Sequence, residues 1–317
     1  MTGMTKMNYK QCAKLLLTHE NILILTHCNP DGDTVASAAA LCSALRRGGR
    51  TAWLYPNRQI GRKLLPYCES YFAPEGFTPK FTVAVDTAER KMLSEGFDGA
   101  VDLCIDHHPT NSFYAAETFL HAEKAACAEI VMEIIQCMNG DLSPREATLL
   151  YIGLSTDTGC FQYSNTNAAA FRAAAEMLHC GADNVKVNTD FFRKVSPARI
   201  RLESMIYSGM RFFRDGKIAV ATVTKEMLER SGAVEDDLDD LAGLAGRCEG
   251  SIVNITIREK DDGTCRVSVR TTEEVSSSEI CAVFGGGGHA MASGCTIEGD
   301  PDKVCEMLLR VVDEVWK

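Results

Sequence analysis

One short stretch of this sequence combines an imidazole with two carboxylates. His27, Asp31 and Asp33 lie within seven positions and directly follow Ile22–Leu25, an apolar run typical of a buried strand. The alanine-rich residues 34–47 come next and predict a helix. A turn that joins a strand to a helix lies at the carboxyl end of a sheet, where open α/β sheets bind their ligands.

The two carboxylates of this turn allow two interpretations. Asp31 and Asp33 leave from the same face of an extended chain, and Gly32 between them removes bulk and permits a tight bend. Carboxylates this close repel each other unless a cation lies between them. The alternative is an ordinary helix N-cap, formed by Asp33 or Thr34. This stretch alone leaves both interpretations open.

Three further polar turns resemble the first. Asp86 ends the apolar strand predicted from Phe81, and the predicted strand 101–105 runs directly into Asp106, His107 and His108. Asp157 lies in a fourth acidic turn, after a helix that begins with an N-cap serine and a proline. We expect all four turns at the same edge of one sheet, which favours a shared site over four separate caps.

Composition limits the classes of function. The chain has 317 residues, of which 45% are hydrophobic and 24% charged, and this length suggests two domains. The net charge of −10 argues against a broad basic surface for long duplex nucleic acid, although a metal ion can offset the charge of a short phosphorylated ligand. The 14 cysteines include no C-x-x-C pair, which argues against a zinc ribbon or finger. We see no apolar signal core or bilayer-spanning run, and expect a cytoplasmic protein without membrane contact.

The order of predicted elements indicates an α/β fold. Alternating strands and helices predict a doubly wound, mainly parallel sheet over residues 1–190. Residues 191–214 are locally basic and predict a solvated linker helix or, alternatively, arginines that face phosphates. Residues 215–317 predict a smaller α/β domain across a cleft from the first.

The smaller domain contains an unusual glycine run. Gly285 to Gly288 are consecutive and are followed at once by His289. Such a run exposes backbone N–H groups without side-chain obstruction, which suits an anionic or planar ligand. As a bare glycine run it is also compatible with a hinge. A hairpin turn at residues 261–263 and a final helix at 301–316 complete the prediction for this domain.

The polar turns of the first domain together form a set of metal ligands. They are His27, Asp31, Asp33, Asp86, His107 and Asp157. Oxygen and imidazole ligands without a thiolate suit Mn²⁺ or Mg²⁺, and also Fe²⁺ or Co²⁺, better than structural zinc. The set is large enough for two ions that share a carboxylate, about 3.5–4 Å apart, as in sites that activate water for in-line displacement at phosphorus. The residues predict metal-assisted phosphoester hydrolysis.

The same residues carry a resemblance to a known family. His27-x-x-x-Asp31-x-Asp33, Asp86, Asp106-His107-His108 and Asp157 match, in order, the four motifs of the DHH phosphoesterase superfamily. The Gly-Gly-Gly-His289 segment resembles that of the associated DHHA1 domain. In length and two-domain layout, the chain resembles the oligoribonuclease and pAp-phosphatase branch, the nanoRNases.

The resemblance implies a role for each matching residue. It implies one ion held by His27, Asp31 and Asp86, and a second held by Asp33, Asp86, His107 and Asp157, with Asp86 as the bridge. It implies that His108 contacts the scissile phosphate and that Asp106 is an orienting residue behind the metal ligands. Residues that match positions gripping a terminal nucleotide are Ser268, Arg270, Gly286, Gly287, Gly288 and His289. Ala290 departs from the pattern, because many relatives have a basic residue there.

The predicted activity is hydrolysis of di- to pentanucleotides of single-stranded RNA or DNA to mononucleotides, with pAp as a further substrate. The expected cofactors are two divalent ions, Mn²⁺ first, with Mg²⁺ or Co²⁺ as alternatives. Alternative activities are hydrolysis of linear or cyclic dinucleotides and of inorganic pyrophosphate. A non-catalytic nucleotide sensor predicts a missing ligand, whereas all six are present. The sequence leaves open whether the chain forms a homodimer.

Overall fold

The computed structural model describes residues 7–238 and 241–316, which divide after Lys194 into two compact units. The first unit is built on a parallel sheet. Its strands are β1 (Ile22–Leu25), β2 (Ala52–Leu54), β3 (Phe81–Val85), β4 (Leu103–Asp106) and β5 (Glu117–Leu120). Its helices are α1 (Tyr9–Leu17), α2 (Gly32–Arg47), α3 (Leu65–Cys68), α4 (Cys127–Asn139), α5 (Pro144–Asp157), α6 (Ala168–His179) and α7 (Asn184–Asn188).

The strand order places the polar turns at one point of the sheet. The strands pair in parallel in the order β2-β1-β3-β4-β5, which confirms the predicted α/β class. In this order the chain reverses its direction of progress between β1 and β3, and open α/β sheets bind ligands at such a switch point. His27 follows β1 and Asp86 follows β3.

Both faces of the central strands are buried. Ile22 and Ile24 of β1 pack in an apolar cluster with residues of the long helices. Leu23 and Leu25 pack in a second apolar cluster. Partly buried side chains such as Tyr55 pack against the outside of this cluster. Burial on both faces explains why the sequence of β1 is an uninterrupted apolar run.

Helix α2 lies at the centre of the helical layer. It packs against both α4 and α5, and most of its residues are buried. Its many alanines allow both neighbours to approach closely, and they explain why the segment lacks a clear polar face. The turn before α2 and the first residue of α4 are therefore held close together.

Two elements of the first unit differ from the sequence prediction. Strand β5 was not predicted, because only Phe119 of its four residues is buried and the segment lacks an apolar pattern. The short helix α3, within residues 57–80, was not predicted either. Strand β5 pairs with β4 up to Asp106, and α3 lies between β2 and β3, so neither changes the predicted α/β class.

The second unit contains a mixed sheet. Its strands are β6 (Arg211–Phe213), β7 (Ile218–Val223), β8 (Val253–Glu259), β9 (Thr264–Thr271), β10 (Gly287–His289) and β11 (Ala292–Glu298). Its helices are α8 (Pro197–Ser208), α9 (Lys225–Ser231), α10 (Ser277–Ala282) and α11 (Pro301–Val315). The strands follow the order β10-β11-β9-β8-β7-β6, and the predicted hairpin joins β8 to β9.

The basic stretch at the start of the second unit is bonded within that unit. Arg199 is buried and donates to Glu203 Oε1 and to the carbonyl of Asp237, both at 2.6 Å. Arg201 donates to the carbonyl of Ser231. Two further ion pairs join Arg211 to Asp302 and Arg214 to Asp313. These bonds favour a structural role for the stretch over arginines that face phosphates.

No helix in the described ranges is both long enough and apolar enough to cross a membrane.

Candidate metal centre

The first polar turn combines a helix cap with a candidate ligand pair. Asp31, not Asp33 or Thr34, is the N-cap of α2, and its Oδ1 accepts from the backbone N–H of both following residues, at 3.0 and 3.1 Å. His27 Nε2 lies 3.6 Å from the same oxygen. His27 Nδ1 donates to the carbonyl of Cys28 at 2.8 Å, which leaves the lone pair on Nε2 for a metal. The cap and the cation interpretations are therefore compatible.

Asp33 is fully buried and joins two helices. Its Oδ2 accepts from the N–H of Cys127 at 2.6 Å, and its Oδ1 accepts from Ala128 N–H and Ser37 Oγ, both at 3.0 Å. The N-cap residue of α4, Ala126, has no side-chain acceptor. The carboxylate of Asp33 therefore caps α4 from a distance in sequence, and these bonds fix its position in the site.

Asp86 is the residue that all other candidate ligands surround. It is 2% exposed and has a left-handed backbone with φ of 58°, an uncommon conformation that Asp and Asn tolerate best among non-glycine residues. Its Oδ1 is buried without a hydrogen-bond partner among the described residues and lies 3.4 Å from His107 Nε2. Its Oδ2 lies 3.9 Å from His27 Nε2. Asp86 thus lies between the two imidazoles.

Asp157 reaches the site from a helix rather than from a strand end. It is the last residue of α5, the helix that the sequence predicted before it. Its Oδ2 lies 3.7 Å from His107 Nε2. A Cβ at Gly153, one turn earlier in α5, would lie 2.7 Å from Asp33 Oδ1. The glycine allows α5 to approach closely enough to deliver Asp157.

Gly32 serves packing rather than a tight bend. It is the first residue of α2, and its φ is not in the left-handed region. A Cβ at Gly32 would lie 2.2 Å from Oγ1 of Thr156, which directly precedes Asp157. The expected bend at Gly32 is wrong because the residue is helical, whereas its lack of bulk is used, since the missing side chain makes room for the end of α5.

Two adjacent histidines have different partners. His107 Nδ1 donates to the carbonyl of Lys124 at 3.2 Å, which directs Nε2 towards Asp86. His108 Nδ1 donates to Asp106 Oδ1 at 2.8 Å, and this hydrogen bond raises the pKa of His108. Asp106 Oδ2 accepts from Asn111 Nδ2 at 2.6 Å. The chain from Asn111 through Asp106 fixes the half-exposed imidazole of His108 beside the carboxylates.

The carboxylates of the site disfavour one another's charge. Burial raises the pKa of Asp86 well above its ordinary value, and the carboxylates of Asp33 and Asp31 raise it further. Burial and the same two neighbours raise the pKa of Asp157 to about 8. A divalent cation among these groups would favour their charged forms.

The donor set fits divalent cations. Ligand atoms lie within 4.8 Å of one another in three groups, which are His27, Asp31 and Asp86; Asp33, His107 and Asp157; and Asp86, His107 and His108. Oδ1 of buried Asp86 has no hydrogen-bond partner among the described residues, and a bound cation would compensate for its burial. The structure thus brings all six predicted metal ligands together, with Asp106 and His108 beside them.

The second unit brings its own predicted residues onto neighbouring strands. Ser268 and Arg270 of β9 pair with β11, which in turn pairs with the glycine strand β10. Arg270 Nη1 donates to the carbonyl of Val269 at 3.2 Å, and His289 is exposed at the end of β10.

The glycines in β10 and just before it are not equivalent. A Cβ at Gly286 would lie 2.3 Å from the carbonyl oxygen of Gly294, and one at Gly288 would lie 2.5 Å from that of Ala292. Gly288 also has φ of 146°. At Gly287 a Cβ would meet open space. Gly286 and Gly288 are therefore needed for close packing, whereas Gly287 fits the simple interpretation of a bare surface for a ligand.

Sequence reasoning missed the residues that hold the ligands. Asn111 and Ser37 donate to Asp106 and Asp33, and Asn57 Nδ2 donates to the carbonyl of His27 at 3.0 Å. Each is a common polar residue, and its local sequence predicts only a turn or a position on a helix surface. Only the position of Asn111, three residues after His108, offered a local signal.

Comparison with known proteins agrees with the geometry. Residues 21–154 match the DHH family, N-terminal domain, and residues 215–317 match the DHHA1 domain. The bifunctional oligoribonuclease and PAP phosphatase NrnA of Thermus thermophilus is 35% identical over 297 residues, covering 92% of this chain and 89% of the relative. The protein of the same name from Bacillus subtilis is 24% identical over 88% of this chain and 90% of its own length.

A solved structure has the same fold. An exopolyphosphatase-related protein from Bacteroides fragilis superposes with a TM-score of 0.85 at 21% identity, covering 96% of each chain. With matches to both domains and a 35% identical relative across nearly its whole length, this chain belongs to the DHH family of metal-dependent phosphoesterases and carries a C-terminal DHHA1 domain.

Proposed function

We propose that this protein hydrolyses short single-stranded oligonucleotides, of two to about five nucleotides, to mononucleotides, and that it also removes phosphate from pAp. The names of its relatives in Thermus and Bacillus describe these two activities. The observation that carries the proposal is the buried, unpartnered Oδ1 of Asp86, which lies between two sets of candidate ligands. A phosphoesterase with two ions that share a carboxylate needs an oxygen in this position.

The ligand sets divide around Asp86. We assign His27, Asp31 and Asp86 to one divalent ion, and Asp33, Asp86, His107 and Asp157 to the other. Such ions, when bound, activate water and offset the charge that develops on phosphate oxygens. Oxygen and imidazole donors suit Mn²⁺, which we propose as the ion in the cell.

The residues beside the metal ligands position the substrate. His108 is held by Asp106 through Nδ1, so its Nε2 is directed to a different partner. We assign that partner as an oxygen of the scissile phosphate, which a protonated His108 would hold by a charge-assisted hydrogen bond. The bond from Asp106 raises the pKa of His108 and so favours the protonated form. Asn111 keeps Asp106 in place.

The second domain binds one end of the substrate in this proposal. We assign residues 1–190 to the metal-binding domain, 191–214 to a linker, and 215–317 to the substrate-binding domain. The substrate contacts are Ser268, Arg270, Gly286, Gly287, Gly288 and His289. Arg270 suits a phosphate, because its only hydrogen bond in the described structure is to a neighbouring carbonyl. Arg270→Ala should therefore raise KM and leave kcat nearly unchanged.

We also propose a cytoplasmic location and leave a homodimer as a question for solution measurements.

A substrate series tests the proposal. We would measure hydrolysis of oligonucleotides from a dinucleotide to a 24-mer, and of pAp and pyrophosphate, with Mn²⁺ and with EDTA. We expect Mn²⁺-dependent release of mononucleotides, fastest from the shortest oligomers. His107→Ala should abolish it, whereas His179→Ala, which removes an exposed histidine at the end of α6, should not. Activity on pyrophosphate or pAp alone would contradict the oligonucleotide assignment.

A further inference from the structure

One asparagine side chain joins the helix that carries Asp157 to a neighbouring loop. Asn165 lies eight residues after Asp157, and its Nδ2 donates to the backbone carbonyl of Asp157 at 3.1 Å. The same nitrogen donates to the carbonyl of Ala125 at 3.0 Å. A side-chain amide has two N–H groups, so one nitrogen can serve both acceptors. Asn165 therefore connects the end of α5 to the loop between β5 and α4.

The carboxylate of Asp157 depends on such backbone support. Among the described residues it makes no hydrogen bond, and its Oδ2 lies 3.7 Å from His107 Nε2. The carboxylate of Asp33, by contrast, accepts from three donors. The last four carbonyls of an α-helix have no partner within the helix, and Asp157 ends α5. Asn165 gives the carbonyl of Asp157 a partner and so fixes the backbone from which the carboxylate projects.

The loop segment 124–127 holds the other two ligands of this group. Its first carbonyl accepts from His107 Nδ1 at 3.2 Å, and its last N–H donates to Asp33 Oδ2 at 2.6 Å. The carbonyl that accepts from Asn165 belongs to the same segment. One segment therefore holds two ligands directly and the third, Asp157, through Asn165.

The other ligand group is held without this segment. His27 Nδ1 donates to the carbonyl of Cys28, and Asp31 caps its own helix. Within the described ranges, neither side chain has a hydrogen bond to residues 124–127. A change at Asn165 should therefore reach one ligand group and spare the other.

We propose that Asn165 is a positioning residue for the divalent ion that we assign to His107 and Asp157. The proposal rests on the proposed function and names a residue on which one of the two ions depends. The two hydrogen bonds of Asn165 fix the distance between the end of α5 and the loop, and hence the spacing of Asp157 from the other ligands. Partners that hold metal ligands in place typically change metal affinity about 10- to 100-fold when they are replaced.

Manganese binding tests this inference separately from turnover. We would titrate the metal-free protein with Mn²⁺ and measure free and bound ion by electron paramagnetic resonance. The wild-type protein should bind two ions per chain, whereas Asn165→Ala should bind one ion with the wild-type Kd and the other with a Kd about 10- to 100-fold higher. Turnover of a dinucleotide should fall at the Mn²⁺ concentration that saturates the wild-type protein, and should recover when Mn²⁺ is raised about 100-fold.

Asn167→Ala is the matched control. Asn167 caps α6 through Oδ1, which accepts from two backbone N–H groups at 2.8 and 3.0 Å. This variant should lower Tm because the cap is lost, but it should keep both wild-type Kd values for Mn²⁺. Asn165→Ser has a single hydroxyl donor in place of two N–H groups. It should weaken the same ion as Asn165→Ala, and it decides the test if the alanine variant does not fold.

A second substitution connects the effect to Asp157. Asp157→Asn should itself weaken the ion, so that Asn165→Ala adds less than its full effect in that background. If Asn165→Ala kept both wild-type Kd values, raised both equally, or matched Asn167→Ala in Mn²⁺ binding, the positioning inference would be wrong. If the wild-type protein itself bound fewer than two ions, or hydrolysed no dinucleotide, the proposed function would fail instead.

Discussion

Replacing Asp86 with Asn should stabilise the metal-free protein and abolish its response to metal. Oδ1 of Asp86 is buried without a partner, and burial together with neighbouring carboxylates raises its pKa well above the ordinary value. An amide removes the charge and can donate to His107 Nε2, which lies 3.4 Å from that oxygen. Asn is also the right probe, because it tolerates the φ of 58° that would strain Ala.

The size of the effect follows from the unpaired oxygen. A buried polar group without a partner destabilises a protein by about 1–3 kcal/mol. One kcal/mol shifts Tm by about 2–4 °C in a domain of about 150–250 residues. We therefore expect Tm in EDTA to rise by about 2–12 °C in Asp86→Asn. With Mn²⁺ at 100 times its Kd, the wild-type protein should gain about 2.7 kcal/mol, and the variant much less.

Thermal unfolding with EDTA and with Mn²⁺ measures both effects, and turnover of a dinucleotide should be lost. Asp102→Asn is the matched control, because Asp102 Oδ2 already accepts from the N–H of Thr82 at 2.7 Å. That variant should show no gain in EDTA and should keep the wild-type response to Mn²⁺. If Asp86→Asn had a lower Tm than the wild-type protein in EDTA, and still gained the wild-type increase in Tm with Mn²⁺, the assignment of Asp86 Oδ1 as a metal ligand would be refuted.

Three further predictions concern the groups around the ligands. Gly32→Ala places a methyl group 2.2 Å from Thr156 Oγ1 and should lower the free energy of unfolding in urea by about 1–3 kcal/mol. Asn111→Ala removes the 2.6 Å hydrogen bond to Asp106 and should lower kcat about 10- to 100-fold, with bound metal unchanged by elemental analysis. The metal-free protein should lose stability as pH rises from 3.8 towards 8, because the folded state raises the pKa of Asp157 to about 8 and so binds more protons than the unfolded chain.

Each of these predictions has its own control. Gly243→Ala adds a methyl group in open space and should change the free energy of unfolding by less than about 0.5 kcal/mol. Asp157→Asn should flatten the pH dependence of the metal-free protein. An equal loss of stability in both glycine variants, a loss of bound metal in Asn111→Ala, or the same pH slope after Asp157→Asn would each contradict the corresponding argument.

The sequence was sufficient to predict the sheet and the candidate ligands because both leave local signals. β1 and β3 are short apolar runs, and each is followed at once by polar residues that a buried strand would not otherwise carry. Five of the six candidate ligands lie in segments that follow strands, whereas Asp157 ends α5. Strand β5 left no such signal, since its side chains are mostly accessible and alternate too weakly.

The sequence could not predict what holds the ligands, because those contacts join distant segments. Asp33 accepts from the first residues of α4, about 95 positions later, and nothing in the local pattern of either segment indicates it. The close approach of Gly32 to Thr156 is equally remote in sequence. Local spacing favoured a bend at Gly32, whereas the structure shows that a glycine is needed there for close packing against Thr156.

The metal centre and the fold of the first unit depend on the same side chains. Asp31 caps α2, and Asp33 caps α4, so two of the proposed ligands also satisfy helix N-termini. A carboxylate that accepts backbone N–H groups is fixed in place before any ion binds, and this rigidity limits how far the site can rearrange when empty. Asp86 has no such bond at Oδ1. We infer that the capped carboxylates set the frame of the site, and that Asp86 and Asp157 carry the instability that a cation relieves.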